Sequence, residues 1–258
     1  METKRVVRVV EREWVVWRRL WRGSVFSYVF APLLFLGAMG IGLGDLVNKH
    51  HGSVDGLDYL EFITPGLMAA SAVMQAAGES LWPVMGGVKW MGTYHAAVST
   101  PVESGDVYLG QLSWTGVRTV MSATVFLAIA AMLGGVPSFW GVFAIPATVL
   151  GALAVAGPLS AWAIERESDA AFAVVMRIVV FPLFLFSGTF FPISRLPDWL
   201  EPFALLSPLY HAVELCRDAT TGTVDSWAAV LGHVVVLLLF IAWGVWRGQR
   251  TFKRTLTL

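Results

Sequence analysis

The sequence predicts an all-α integral membrane protein, and three observations point to this fold class. Hydrophobic residues make up 56% of the 258 residues and charged residues only 14%, whereas about a quarter of an average soluble domain is charged. The apolar residues are gathered into six long segments, most of them close to the roughly 20 residues that a helix needs to cross a bilayer. Lys and Arg residues cluster ahead of the first of these segments, within 4–22, and after the last, within 247–254. Since a chain in lipid must satisfy its backbone hydrogen bonds internally, we expect the segments to be helices.

The first predicted element is an interfacial helix at 3–22, ahead of the first membrane span. Trp14, Trp17 and Trp21 recur at steps of three and four residues, so they share one face of a helix. Tryptophans among basic residues are typical of a helix in the headgroup layer, although a helix packed on the rest of the protein would also fit. No small-residue cleavage pattern follows the next apolar run, so we interpret this stretch as retained rather than as a secretory signal.

Six transmembrane helices are predicted to follow, joined by connections that carry glycine, proline or charge. Pro101 is expected to end any helix formed by 93–99, in the connection between the second and third spans. The outer connection at 45–58 is short and polar. All these elements belong to one predicted domain, 1–258. The predicted spans are 24–44, 59–85, 107–133, 139–164, 170–190 and 227–246.

The charge distribution predicts the orientation of the chain. Although the formal net charge is zero, seven of the eighteen Lys and Arg residues lie within 4–22 and four more within 247–254. Six spans place thirteen of the eighteen on inner segments and three on outer ones, namely Lys49, Arg195 and Arg217. By the positive-inside rule, we expect both the N terminus and the C terminus to be cytoplasmic.

The segment before the last span, 191–225, is predicted to form an outer re-entrant helical hairpin. Ser207 followed by Pro208 is a favourable helix start, and the helix is expected to run from about 209 to 220 and to end at Gly222. Val213 and Leu215 of this helix are expected to dip into the membrane. An apolar stripe upstream predicts the other short helix, with Trp199, Leu200, Phe203 and Leu206 as its members.

Several kinds of catalytic site are not expected in this chain. The sequence has no phosphate-binding GxxxxGK[ST] loop, no HExxH pair and no GxSxG elbow. Cys216 is the single cysteine, so no intrachain disulfide can form. Arg118, Arg177 and His233 are expected near span ends, which leaves few ionisable groups at mid-depth. Because ion-coupled carriers usually need such groups, we expect the energy for transport to come from another subunit.

Two carboxylates of the second predicted span are expected near opposite ends of it. Glu61 and Glu79 are separated by roughly 27 Å at the rise of an α-helix, so each can reach a headgroup layer. A position near the headgroups is therefore the favoured interpretation for both. Glu79 is kept as a candidate residue of a transport pathway.

Two motifs resemble those of a known transporter class. The stretch STPVESGDVYLG, 99–110, is similar to the signature between the second and third spans of type-2 ABC exporter permeases. The stretch FLFSGTFFPISRLPDWLEPFALLSPLYHAVELCRD, 184–218, resembles the segment before the last span of that class. Within the class, the chain resembles the NodJ-like lipooligosaccharide and multidrug exporter permeases. With the six-span layout, the resemblance covers nearly the whole chain.

This resemblance implies a multi-pass permease subunit in a bacterial plasma (inner) membrane. Such a subunit is not an enzyme, and it works with a dimer of separate ABC ATPase subunits and a second permease copy, either identical or paralogous. It would move an amphipathic substrate outward, such as a glycolipid, a lipid-linked saccharide or a hydrophobic drug. No cofactor or metal is expected in this chain, since ATP and magnesium belong to the ATPase. Membrane lipids are expected partners, and nucleic acid is not.

The resemblance also implies roles for particular residues, with none of them catalytic. The interfacial helix and the connection between spans two and three are expected to touch the ATPase. The ATPase-coupling candidates are Trp14, Trp17, Lys89, Thr93, Tyr94, His95 and Pro101. The exit-gate candidates are Ser187, Gly188, Phe190, Phe191, Pro192, Pro208, His211 and Glu214.

Two other functions are compatible with a membrane protein of this size. A membrane-embedded lipid-modifying enzyme would need clustered Asp, His or Ser side chains at one face. Only His211, Glu214 and Asp218 of the outer segment are candidates, and they lack a nucleophile–base pattern. The other alternative is a membrane anchor or assembly protein that does not transport. Copurification of an ATPase would distinguish the exporter from both.

Overall fold

The computed structural model describes residues 2–44, 46, 54, 56–224 and 226–257, and these are overwhelmingly helical. An isolated β-bridge joins Val54 and Leu57, and no strand is formed within the described ranges. The predicted outer connection at 45–58 lies largely outside the described residues, as does Asp225 near the end of the predicted re-entrant segment.

The first helix, α1, runs from Glu2 to Phe35 and continues as a π-helix over Leu36–Leu43. The sequence predicted an interfacial helix at 3–22 and a separate span at 24–44. The chain instead stays helical through Gly23, and a 60° bend separates Lys4–Gly23 from Tyr28–Gly40. The two predicted elements are therefore the two arms of one bent helix.

The next three helices are α2 (Tyr59–Met85), α3 (Thr93–Val98) and α4 (Ser104–Met132). A short π-helix, Gly86–Trp90, extends α2 toward α3. α3 ends three residues before Pro101, as the sequence predicted. α4 starts three residues earlier than predicted, because Glu103 and Asp106 form a capping box in which the Asp106 carboxylate accepts from the Glu103 amide at 3.0 Å.

The fourth predicted span is divided into a 3-10 turn, Phe139–Phe143, and α5 (Ala144–Ala163). The fifth consists of α6 (Ala170–Val175), a π-helical turn and α7 (Phe181–Phe186). It ends four residues before the predicted boundary because Ser187 leaves the helix and Gly188 has a φ of 78°.

The predicted re-entrant segment contains α8 (Glu201–Leu205) and α9 (Pro208–Thr221). The Ser207 hydroxyl caps α9 by accepting from the amides of Leu209 and Tyr210, and the left-handed Gly222 ends the helix, so both predicted boundaries are confirmed. The last helix, α10 (Trp227–Leu256), continues ten residues beyond the predicted end of the sixth span.

Three helices are long and apolar enough to cross a membrane, namely those within Ser104–Met132, Phe139–Ala163 and Trp227–Leu256, and the bent α1 segment would make a fourth. α2 has 27 residues, and Ala170–Phe186 is a shorter apolar helix. These lengths are those of an integral membrane protein. Six spans and cytoplasmic termini remain predictions.

The core consists of two clusters of buried side chains at opposite ends of the bundle. The α9 end is centred on α2, α5 and α9, with Leu67, Leu209 and Cys216 among its buried members. The α3 end is centred on α2, α3, α4 and α10, and it includes Tyr108 and Phe252. The names α9 end and α3 end are used below for these two ends.

α9 packs against the protein and not against lipid at two positions where the sequence predicted lipid. Val213 and Leu215 were expected to dip into the membrane, yet both are buried in the α9-end cluster. Gly151 of α5 makes this possible, because a Cβ at that position would lie 2.4 Å from the Cβ of Ala212. Apolar side chains suit lipid and protein interior equally, so apolarity alone could not distinguish the two environments.

Candidate coupling, exit and cavity sites

The short helix α3 is fixed to the rest of the α3 end by Tyr94. Its ring is buried and lies 6.0 Å from the ring of Phe252 in α10, and its hydroxyl donates to Gln111 Oε1 in α4 at 3.3 Å. Burial raises the pKa of Tyr94 far above its usual value. A side chain at Gly87 would come within 2.6 Å of the same ring, so this glycine permits the close contact. Tyr94 therefore holds α3 in a defined position.

The other predicted coupling residues of this region face outward. Lys89, His95 and Pro101 are exposed, while Thr93 is half-buried with its hydroxyl 3.5 Å from the Gly87 carbonyl. Two residues of the same predicted connection, which were not among the named candidates, lie beside them. Trp90 and Met91 are 59% and 68% exposed, and the signal that could have found them is a large apolar pair in a connection between spans. The set of exposed residues Lys89, Trp90, Met91, His95 and Pro101 is called the α3 surface below.

The first arm of α1 lies along the start of α4. Arg5 forms an ion pair with Glu103 and lies 3.9 Å from Asp106, so it joins α1 to the capping box of α4. Further along, a side chain at Gly110 would come within 2.5 Å of Val9. The tryptophans continue the contact, since Trp14 stacks on Trp17 at 5.2 Å and meets Trp114 edge-on at 6.3 Å.

The predicted exit residues gather where the turn after α7 meets α9. The Ser187 hydroxyl lies 2.8 Å from that of Ser207, the residue that caps α9. Arg217 donates to the Gly188 carbonyl at 2.8 Å and also pairs with Glu214 on its own helix. Ser187 and Gly188, the first two residues of this turn, are therefore both bound to α9.

Three further contacts complete this region. The rings of Phe190 and Phe184 meet edge-on at 5.2 Å, and the Nδ1 atoms of His211 and His233 lie 2.7 Å apart, which joins α9 to α10. Phe191 and Pro192 are half-buried, and Pro208 is buried as the first residue of α9.

Glu79 lies inside the protein, paired with an arginine of a neighbouring helix. Its buried side chain forms an ion pair with Arg118 at 3.1 Å and accepts from Gln75 at 2.8 Å, while its place near a headgroup layer stays a prediction. Arg118, expected near a span end, is residue 15 of the 29 in Ser104–Met132 and so lies at mid-helix. The Arg118 Nε also donates to the Tyr28 hydroxyl at 3.1 Å. An Arg inside an apolar segment is the sequence signal for such a pair.

The side chains of Tyr28, Gln75, Glu79 and Arg118 line a cavity of about 520 Å³ between the second arm of α1, α2 and α4. A group of three or more His, Cys, Asp or Glu side chains suited to a metal ion is not found in the described ranges.

The comparisons with known proteins agree with this architecture. The model of the ABC-2 type transporter family matches residues 5–220. Nodulation protein J of Azorhizobium caulinodans is 30% identical over 234 residues, which cover 91% of this chain and 89% of the relative. Nodulation protein J of Rhizobium leguminosarum bv. viciae is 28% identical over 90% of this chain and 88% of the relative. The inner membrane transport permease YadH of Escherichia coli K12 is 21% identical over 90% and 94%.

The family match extends over far more than half of the chain, and the relatives are aligned over nearly their full length. The apolar helices are those of a membrane protein. The chain therefore belongs to the ABC-2 type transporter family and is an ABC transporter permease of the bacterial inner membrane.

Proposed function

We propose that this chain is the permease subunit of an ATP-driven exporter that moves an amphipathic substrate outward together with separate ATPase subunits and a second permease copy. The observation that carries the proposal is the α3 surface. Trp90 and Met91 expose large apolar side chains beside the anchored helix α3. Exposed aromatic and Met side chains on a rigid support are typical of protein interfaces, and an ATPase is the partner expected for this family.

The contacts of the α3 end suggest how an ATPase movement would reach the membrane. A force on α3 is transmitted to α4 through the Tyr94–Gln111 bond and to α10 through the Tyr94–Phe252 contact. The first arm of α1 moves with α4 because Arg5 is bound to the α4 capping box. The helices α1, α4 and α10 are therefore linked to one another at the α3 end. Closure of the ATPase pair would tilt them together.

A second permease copy would cover two apolar faces that are exposed in the single chain. One is on the second arm of α1, where Phe30, Leu33 and Leu34 are exposed, and the other is on α6 and the turn after it, where Val174 and Ile178 are exposed. Lipid could cover the same faces, but only a second copy would place two chains around a shared path. The path would end beside the turn at 187–190 and α9.

The amphipathic class of substrate is supported by the cavity between α1, α2 and α4. Its lining is mainly apolar, and four of its polar side chains, Tyr28, Gln75, Glu79 and Arg118, are joined to one another and are called the floor below. A glycolipid, a lipid-linked saccharide or a hydrophobic drug would match such a combination of surfaces.

The test is a change of the α3 surface that leaves the fold intact. A tagged chain carrying both Trp90→Ser and Met91→Ser is purified from its native host, and bound ATPases are identified by mass spectrometry from their phosphate-loop peptides. We expect about tenfold less ATPase than with the unchanged chain, because hot-spot residues of an interface are lost. The matched control is Trp199→Ser, since Trp199 is 70% exposed in the outer segment.

The control variant should retain the ATPase in full. Equal recovery with all three proteins would exclude the α3 surface as the ATPase contact. If the unchanged chain copurifies with no ATPase at all, the exporter proposal fails, and an anchor or assembly protein becomes the better interpretation.

A further inference from the structure

In the cavity between the second arm of α1, α2 and α4, the charges of the floor residues compensate each other. Arg118 and Glu79 form the ion pair at 3.1 Å, and Gln75 donates to the same Glu79 oxygen at 2.8 Å. Tyr28 joins the floor from α1, since its hydroxyl accepts from Arg118 Nε at 3.1 Å. One positive and one negative side chain are present, so the floor has no net charge.

The floor keeps hydrogen-bonding capacity for a ligand. Among the described residues, the side-chain bonds to Glu79 fall on Oε1, and Arg118 uses Nε and Nη1. A carboxylate has two oxygens and a guanidinium has five N–H donors. The floor can therefore offer both an acceptor and donors to a group that enters the cavity.

The membrane setting decides which kind of group can enter. In a low-dielectric region, a charge without a partner is strongly disfavoured, whereas a polar group is tolerated when its hydrogen bonds are made. Since Glu79 and Arg118 already compensate each other, a charged ligand would either keep a charge that has no partner or take one member of the pair from the other. A neutral group with donors and acceptors would not disturb the pair.

We propose that this cavity binds the polar end of an uncharged amphiphile, such as a group bearing hydroxyls or amides, and that the Glu79–Arg118 pair determines this charge selectivity. The apolar part of the ligand lies along the wall formed by Met68, Met74 and Phe126. Binding itself can be measured on the permease alone. Only the statement that the bound amphiphile is cargo rests on the proposed function.

The experiment uses the purified permease in nanodiscs and a dodecyl maltoside analogue with a diazirine in its alkyl chain. After photolysis, mass spectrometry locates the adducts, which are expected on the peptides that contain Met68 and Met74. Unlabelled dodecyl maltoside, dodecyl sulfate and dodecyltrimethylammonium then compete for the site at equal chain length. For the unchanged protein, we expect the neutral detergent to compete about tenfold better than either charged one.

Charge variants make the test specific to the pair. Glu79→Gln leaves a net positive floor, so dodecyl sulfate should become the best competitor. Arg118→Gln leaves a net negative floor, so dodecyltrimethylammonium should. The double variant Glu79→Gln/Arg118→Gln has no uncompensated charge to disturb folding, and it should restore the preference for the neutral detergent. Glu61→Gln, on the same helix but away from the cavity, should leave the original order unchanged.

An order of competition that is the same in all variants would overturn the inference, as would adducts spread evenly over the lipid-facing helices. Transport is measured separately in vesicles that contain the ATPase. Binding without transport would contradict the exporter proposal alone, whereas transport without binding at this cavity would contradict the present inference alone.

Discussion

At the scale of single residues, Gly66 allows α2 to pack closely against the turn at 187–190. A Cβ built on Gly66 would lie 2.7 Å from the carbonyl oxygen of Thr189 and 2.8 Å from its Cα. Both are backbone atoms, so a larger residue cannot be accommodated by a change of side-chain rotamer. The turn at 187–190 can therefore pack this closely against α2 only because residue 66 is a glycine.

The first prediction follows from this contact. Gly66→Ala should lower the free energy of unfolding by about 1–3 kcal/mol because the turn must shift to relieve the overlap. The measurement is thermal or denaturant unfolding of the purified permease in detergent. Gly232→Ala in α10 is the control, since a Cβ added at Gly232 would meet no atom of a neighbouring element within 4 Å. An equal loss of stability in both variants would show that the contact with Thr189 does not account for the effect of Gly66→Ala.

At the scale of elements, two short helices derive their positions from single anchors. α3 has only six residues, too few for a stable isolated helix, and its buried anchor is Tyr94. α9 is longer, and its anchor is Ser207. This side chain caps the helix and also forms a hydrogen bond with Ser187. Both anchors are side chains whose removal should affect one element more than the bundle.

For α3, Tyr94→Ala should cost about 3–5 kcal/mol and Tyr94→Phe about 0.5–1.5 kcal/mol, since the first creates a cavity and the second removes one hydrogen bond. Hydrogen exchange of the α3 amides should accelerate strongly in the alanine variant. The exposed neighbour His95 provides the control, and His95→Ala should change stability by less than about 0.5 kcal/mol. Unchanged exchange in Tyr94→Ala would contradict the anchoring role.

For α9, Ser207→Ala should reduce stability by about 0.5–2 kcal/mol because the helix loses its cap. Ser226 is a matched control: it occupies the N-cap position of α10, but its side chain makes no capping bond. Ser226→Ala should therefore be close to neutral in the same unfolding assay. The prediction fails if the two serine variants are equally destabilised.

At the scale of the whole molecule, the fifth predicted membrane crossing depends on the helical run Ala170–Phe186. With 17 residues it is shorter than the other apolar helices, and its sequence predicted the fifth span. Glu167 and Asp198 are both exposed and lie on either side of this run. If the run crosses the membrane, the two positions face opposite compartments.

Single cysteines at these positions test the topology. Cys216 is fully buried and is the only native cysteine, so it should stay unmodified. We expect Asp198→Cys to react with a membrane-impermeant maleimide in intact spheroplasts, and Glu167→Cys to react only after permeabilisation. Reaction of both under the first condition would place the run on one side and remove it from the count of spans.

Signals between neighbours along the chain predicted much of this structure. Low charge and long apolar segments were enough for an all-helical membrane protein, and Ser207 with Pro208 defined the start of α9 because a cap acts within three residues. Gly222 and Pro101 likewise marked helix ends, since the backbone preferences of Gly and Pro are local. The two motifs also identified the transporter class that the family match confirms.

Contacts between distant parts of the chain decided the rest. Glu79 and Arg118 are 39 positions apart, and only the packing of α2 against α4 brings a buried carboxylate and a half-buried guanidinium together as an ion pair. Tyr94 was predicted only as a candidate for coupling to the ATPase, and its burial depends on Phe252 and Gln111, which are distant along the chain. The apolar side chains of Val213 and Leu215 would suit either lipid or the protein interior. Because lipid and protein interior both accept apolar side chains, only the tertiary structure could assign these residues to the core.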